Sequence, residues 1–117
     1  DLRVRGLLET TLVIALGEFG RAPKVAIEKN FAGSSPGRKH WGGCYSVLFA
    51  GAGVVPGAAY GSSDRIGAYP SDKPVSPLDL TATLYHALGI DPAGHFLDST
   101  NRPSAISEGT PITGLWS

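Results

Sequence analysis

Methionine is absent from the 117 residues, cysteine occurs once, and neither sign of charge is in excess, with Lys+Arg and Asp+Glu at 10 each. The single cysteine, Cys44, excludes an internal disulfide. It leaves the compartment open, because exported bacterial proteins often lack disulfides too. Cys44 stands in an apolar, strand-like run, where it reads as a small buried hydrophobe rather than a nucleophile. Charge neutrality removes the electrostatic case for nucleic acid or an anionic membrane, both of which attract a basic excess. It also removes the repulsion that keeps copies apart, so self-association is easier. No run approaches the ~20 apolar residues of a membrane span. No export signal is recognisable, and the chain opens at Asp1 without a methionine. The expectation is one partial domain over residues 1–117, the C-terminal segment of a longer protein.

Glycine (16) and proline (9) together exceed one residue in five, which predicts a loop-rich chain. The 42% of hydrophobic residues gather in two runs, so the chain is not disordered in kind. Thr10 to Leu16 (TTLVIAL) and Tyr45 to Ala50 (YSVLFA) are continuous aliphatic and β-branched stretches. Such runs fit strands buried on both faces, as in a parallel sheet covered by helices. Asp1 to Leu8 resembles a frayed helix end stopped by Gly6. Residues 22 to 43, which include Gly33, Ser34, Ser35, Pro36 and Gly37, predict a long irregular loop, and loops of that length are often functional. Ala58 to Gly61 and Ile66 to Tyr69 predict an edge hairpin around Ser62–Arg65. Asp64, Arg65 and Asp72 are placed in turns.

The best-defined helix start is Ser76-Pro77-Leu78-Asp79. Ser76 can cap, Pro77 suits the first helical position, and Asp79 favours the helix dipole. Leu80, Leu84, Ala87 and Leu88 recur at helical spacing and Gly89 closes the element, giving a helix over about 77–88. After Asp91 the polar, proline-containing tail predicts an irregular closing segment. Two strands and one helix do not complete an α/β sheet, so further strands are expected upstream.

Glu18 and Arg21 follow the first apolar run, at the kind of strand end where open α/β sheets bind ligands. His40 precedes the second run, and the loop between is long enough to bring it back over the Glu18 turn. Carboxylate plus imidazole suits a divalent metal and equally a general acid–base pair. Arg21 and Arg38 are suited to hold a tetrahedral anion. The plainer alternative pairs Glu18 with Arg21 or Arg38 on the surface and leaves His40 as a capped loop histidine. On spacing alone that alternative is favoured. His86 reads as a solvated helix-face residue, and His95 as a surface residue.

Three stretches taken together, TLVIALGEFGRAP, GRKHWGGCYSVLFAGAGV and IGAYPSDKPVSPLDLTATLYHALGIDP, resemble the domain-of-unknown-function family fifteen-oh-one. That family is a bacterial, sulfatase-like branch of the alkaline phosphatase superfamily, and the resemblance runs from about residue 7 to 113. It implies an alkaline phosphatase-like, mainly parallel α/β sheet flanked by helices. It also implies metal-dependent hydrolysis of phosphate or sulfate esters, with a zinc, calcium or magnesium ion. Glu18-Phe19-Gly20 occupies the position of the superfamily's Asp-His-Gly, and His40 matches a later metal histidine. Asp79, Thr83 and Leu84 match its C-terminal helix pattern. The departure is Phe19, which stands where a metal histidine is usual and cannot ligate, leaving Glu18 and His40 as the metal candidates here. The resemblance places the nucleophile and the first metal carboxylates upstream, in a part of the protein that would also be this segment's packing partner. It implies an exported, periplasmic parent. The competing reading is a non-catalytic exported binding or envelope protein that kept the fold without a complete metal site. A third, a small independent module, is disfavoured by the strand edges it would expose.

Overall fold

The computed structural model describes residues 1–27 and 36–116. In chain order its elements are β1 (Val13–Ala15), β2 (Gly20–Arg21), β3 (His40–Trp41), β4 (Leu48–Ala50), β5 (Ser62–Ser63), β6 (Pro70–Asp72), α1 (Pro77–Ala87), β7 (His95–Leu97) and β8 (Pro103–Ala105). Short 3-10 turns lie at Leu7–Glu9 and Thr113–Leu115. The strands form four separate pairs, β1·β4, β2·β3, β5·β6 and β7·β8, the last three antiparallel. This overturns the expected alkaline phosphatase-like parallel sheet flanked by helices: among the described residues no pair joins another, and α1 is the one α-helix.

The reason lies in pairing rather than in backbone preference. Both apolar runs do become extended, at β1 and β4, but each has a single strand neighbour. Each alternates exposed and half-buried residues instead of burying two faces. Val13 is 39% and Leu48 70% exposed. Periodicity reports that a segment is extended and apolar. It does not report which segments pair with it.

Two compact units divide the chain: Asp1–Leu12, Ala50–Tyr60 and Val75–Ser117 form one, and Val13–Phe49 with Gly61–Pro74 form the other. In the first, α1 matches its expected bounds closely. Ser76 Oγ accepts from the Asp79 N–H (3.1 Å) and the Ser76 N–H donates to Asp79 Oδ2 (2.9 Å), a complete capping box that satisfies two orphan donors. At the other end Gly89 has φ 75°. Its N–H donates to His86 O while the Ile90 N–H reaches Tyr85 O, each at 3.0 Å. That paired closure needs a left-handed residue, which glycine supplies without strain.

The buried face of α1 is Leu80, Ala82 and Thr83, joined by Ile112. Leu88, expected on the apolar stripe, sits at the C-cap and is 74% exposed. The C-terminal segment runs beside the helix, bound by its polar side chains. The Thr110 N–H donates to Asp79 Oδ1 (2.8 Å), and the Ile112 N–H donates to Thr83 Oγ1 (2.9 Å). Thr83 Oγ1 in turn donates to the Asp79 carbonyl at 2.6 Å. Asp79 and Thr83 thus clamp the tail to the helix. The hydrogen bonds from Thr110 and Ser76 hold the Asp79 carboxyl below its usual range.

The tail is not irregular. Strands β7 and β8 pair His95 with Ala105, Phe96 with Ser104 and Leu97 with Pro103. Asp98 organises the turn by accepting from the Thr100 N–H and hydroxyl and from the Arg102 N–H and guanidinium. Its carboxyl is lowered to about 2, the Thr100 hydroxyl being the largest cause and the Arg102 backbone next. The turn carries Asn101 at φ 60° in place of a glycine, which hides it from a search for glycine-marked hairpins. Exposed His95 and His86 agree with their surface readings, although the His86 ring also meets Trp116 edge-on at 6.1 Å.

In the second unit the hairpin β5·β6 exists but is displaced from the expected 58–61 and 66–69. Asp64 serves its turn as expected, accepting from the Ile66, Ala68 and Tyr69 N–H groups. Those hydrogen bonds, Ala68's foremost, lower its carboxyl. Asp72, expected in a turn, lies in β6 opposite Ser62. No described helix is long and apolar enough to cross a membrane.

Candidate functional site

Within residues 22–43, expected to be an irregular loop, the described parts either side, 22–26 and 37–41, pair as an antiparallel ribbon. The Ala22 N–H donates to Lys39 O at 2.9 Å, and Ala26 and Gly37 exchange hydrogen bonds further out. Gly33, Ser34 and Ser35 lie outside the described residues. The fold-back places Gly20 opposite Trp41 and Arg21 opposite His40, so the expected return of His40 to the Glu18–Arg21 turn is met. Because Ala22 and Lys39 form the hydrogen-bonded pair, Arg21 and His40 are the neighbouring non-hydrogen-bonded pair. Facing Cα atoms in such a pair are about 4.5 Å apart and the side chains lie closest.

Alternation gives the ribbon two unlike faces. Gly20 and Trp41 are half-buried on one, while Arg21 and His40 are exposed on the other. On the inner face, a Cβ at Gly20 would run into the Cys44 carbonyl, so only glycine admits that close approach. Half-buried Cys44 contributes its backbone at this point. The Trp41 indole N–H donates to Ala68 O at 2.6 Å, and its ring meets Tyr69 edge-on with centroids 5.5 Å apart. On the outer face, the Phe19 ring stacks on the His40 imidazole, with centroids 3.9 Å apart and planes at 25°.

Glu18 is exposed in the bend before Phe19, and Arg38 is exposed two residues before His40. Of the four residues singled out from sequence, the register brings Arg21 and His40 into direct opposition. Glu18 and Arg38 lie near the two strand ends. Over residues 18–27 and 36–41 there are four Lys or Arg against one Glu, so this ribbon concentrates positive charge in a chain that is neutral as a whole.

A zinc site needs three or four protein ligands. No group of three or more His, Cys, Asp or Glu side chains that could hold a metal ion is found among the described residues. Glu18 and His40 are by themselves fewer donors than a zinc site takes. Phe19, read from the sequence only as a missing ligand, is a residue that sequence reasoning left without a role. The adjoining H-W of the G-R-x-H-W motif was its nearest signal, since it marks the strand that carries the stack.

Helix α1 and the antiparallel pairs make this a loop-rich protein of mixed α and β structure. A family model described as "protein of unknown function (DUF1501)" matches residues 1–116, and the chain belongs to that family. Comparison with curated proteins and with solved structures finds no match.

Proposed function

We propose that the outer face of the β2·β3 ribbon binds the oxyanion of a phosphate or sulfate ester, as the substrate-holding part of an ester hydrolase. The observation that carries this reading is the direct cross-strand opposition of Arg21 and His40. A guanidinium presents paired N–H donors that match two oxygens of a tetrahedral anion, and it stays charged at all working pH values. An adjacent imidazole adds a third donor and can pass a proton to a leaving oxygen. Donors fixed before the substrate arrives stabilise the charge that grows in the transition state. Turnover also needs a nucleophile, which on this reading comes from outside the ribbon.

The second reading, a non-catalytic exported binding protein, is favoured by Phe19, which stacks on His40 yet offers no metal ligand of its own. Calorimetric titration of the protein with inorganic phosphate and sulfate tests the shared premise. Arg21→Ala and His40→Gln should each weaken binding roughly ten- to a hundredfold, the worth of one charge-assisted hydrogen bond. Absence of saturable binding, or variants that bind as the parent does, would overturn it. Release of p-nitrophenol from its phosphate or sulfate ester then separates hydrolase from binding protein.

A further inference from the structure

We infer that Phe19 is the positioning residue of this anion site, holding the His40 ring so that its nitrogen-bearing edge is presented beside Arg21. The inference rests on the anion-binding reading above and goes further by assigning a role to a residue that makes no polar contact.

An imidazole on an exposed strand turns about two side-chain bonds, and a ligand that needs one orientation must meet the entropy of fixing it. Here the ring is already held. A near-parallel stack at 3.9 Å and 25° is a close face contact, tighter than the roughly 4.5–7 Å usual for aromatic pairs. It covers one imidazole face and leaves the ring edge, where both nitrogens lie, as the polar surface open to a ligand. Phe19 is two residues before Arg21, and His40 faces Arg21 across the ribbon. Cross-strand pairing puts Arg21 and His40 on one face, and the stack brings the Phe19 ring from the preceding bend onto His40 there.

The stack also has a rigid base. Each of its rings is followed in the chain by a residue pinned on the opposite face. After Phe19 comes Gly20, pressed against the Cys44 carbonyl. After His40 comes Trp41, whose indole N–H is held by Ala68 O at 2.6 Å. The two backbones are thus located from below, and the two rings from each other. Sites held to within a fraction of an ångström by such supporting contacts gain affinity through preorganisation. The arrangement favours a ligand that approaches in the plane of the imidazole, with oxygens spread between that edge and the guanidinium. A compact tetrahedral oxyanion does this. A flat group needing the ring face does not.

The test compares Phe19→Tyr, which keeps the ring, with Phe19→Leu, which keeps apolar bulk but has no ring. Phosphate titration supplies the affinity, and proton NMR of the His40 ring supplies the geometry. The phenyl ring current should shift the His40 carbon-bound protons upfield in the parent and in Phe19→Tyr, and the shift should vanish in Phe19→Leu. Phosphate affinity should be unchanged in Phe19→Tyr and about three- to tenfold weaker in Phe19→Leu. The Trp41 indole N–H signal reports that each variant keeps the ribbon. Should Phe19→Leu lose that signal, Phe19→Met takes its place with the same expected results. A ringless variant that loses the shift yet binds phosphate as the parent does would overturn the positioning role alone. A parent without the shift would overturn it too, whatever binds. A parent that shows the shift and binds no phosphate would overturn the anion-site reading and this inference with it.

Discussion

Replacing Thr83 by valine tests the clamp between α1 and the C-terminal segment. The two side chains have nearly the same shape, so the change removes a hydroxyl without opening a cavity of note. In the parent that hydroxyl accepts from the Ile112 N–H at 2.9 Å while donating to the Asp79 carbonyl at 2.6 Å. Thr83 is fully buried and Ile112 is 9% exposed, so water cannot replace the lost acceptor. Leaving a buried donor unsatisfied costs about 1–3 kcal/mol. The Asp79 carbonyl suffers less, because it remains an acceptor in the helix ladder. With an unfolding entropy near 2.1 cal/mol/K per residue, the loss should lower Tm by about 4–12 °C. Native-state hydrogen exchange gives the local reading: the Ile112 amide should exchange about 5- to 150-fold faster. Thr83→Ser keeps both hydrogen bonds and loses one methyl, a change of about 1 kcal/mol, and should leave Ile112 protected. The reasoning is refuted if Thr83→Val melts with the parent and its Ile112 amide stays as slow.

Gly20→Ala should destabilise the second unit by about 1–3 kcal/mol, because the new Cβ meets the Cys44 carbonyl rather than a side chain that can swing away. A chemical-denaturation midpoint equal to the parent's would count against that close approach. Acid should act through Asp64, Asp79 and Asp98, all held below the ordinary aspartate value of 3.8 by hydrogen bonds to the ionised form. Each has a folded value below its unfolded one, so its stabilising effect is complete above about pH 4. That effect fades as pH falls through the folded value, which is about 2 for Asp98. A titration followed by the Thr100 and Arg102 amide signals should therefore show the β7·β8 turn intact at pH 4 and loosening towards pH 2. A turn already open at pH 4 would contradict the assignment.

Local structure was legible wherever neighbouring residues supply their own partners. Helix α1 is the plainest case: Ser76, Pro77 and Asp79 complete its start and Gly89 its end, all within reach along the chain. Asp64 behaved as a turn residue for the same reason. The hairpin at 95–105 was missed because its left-handed position is Asn101 rather than glycine. Its anchor, Asp98, accepts from the Thr100 N–H two residues on, as Asp64 does from Ile66, and went unrecognised without the glycine.

By itself the amino-acid sequence determined that the two apolar runs are extended and where the helix lies, and it offered Arg21, Arg38, His40 and Glu18 as candidates. These follow from short-range preferences that each segment carries alone. Only tertiary structure decided the partners. The ribbon register set Arg21 against His40, and the Phe19 ring came to stack on the imidazole. The single neighbours of β1 and β4 replaced a continuous sheet with separate pairs. Pairing depends on contacts between residues far apart in sequence, each settled against the entropy of closing the chain between them, and no segment contains that information alone.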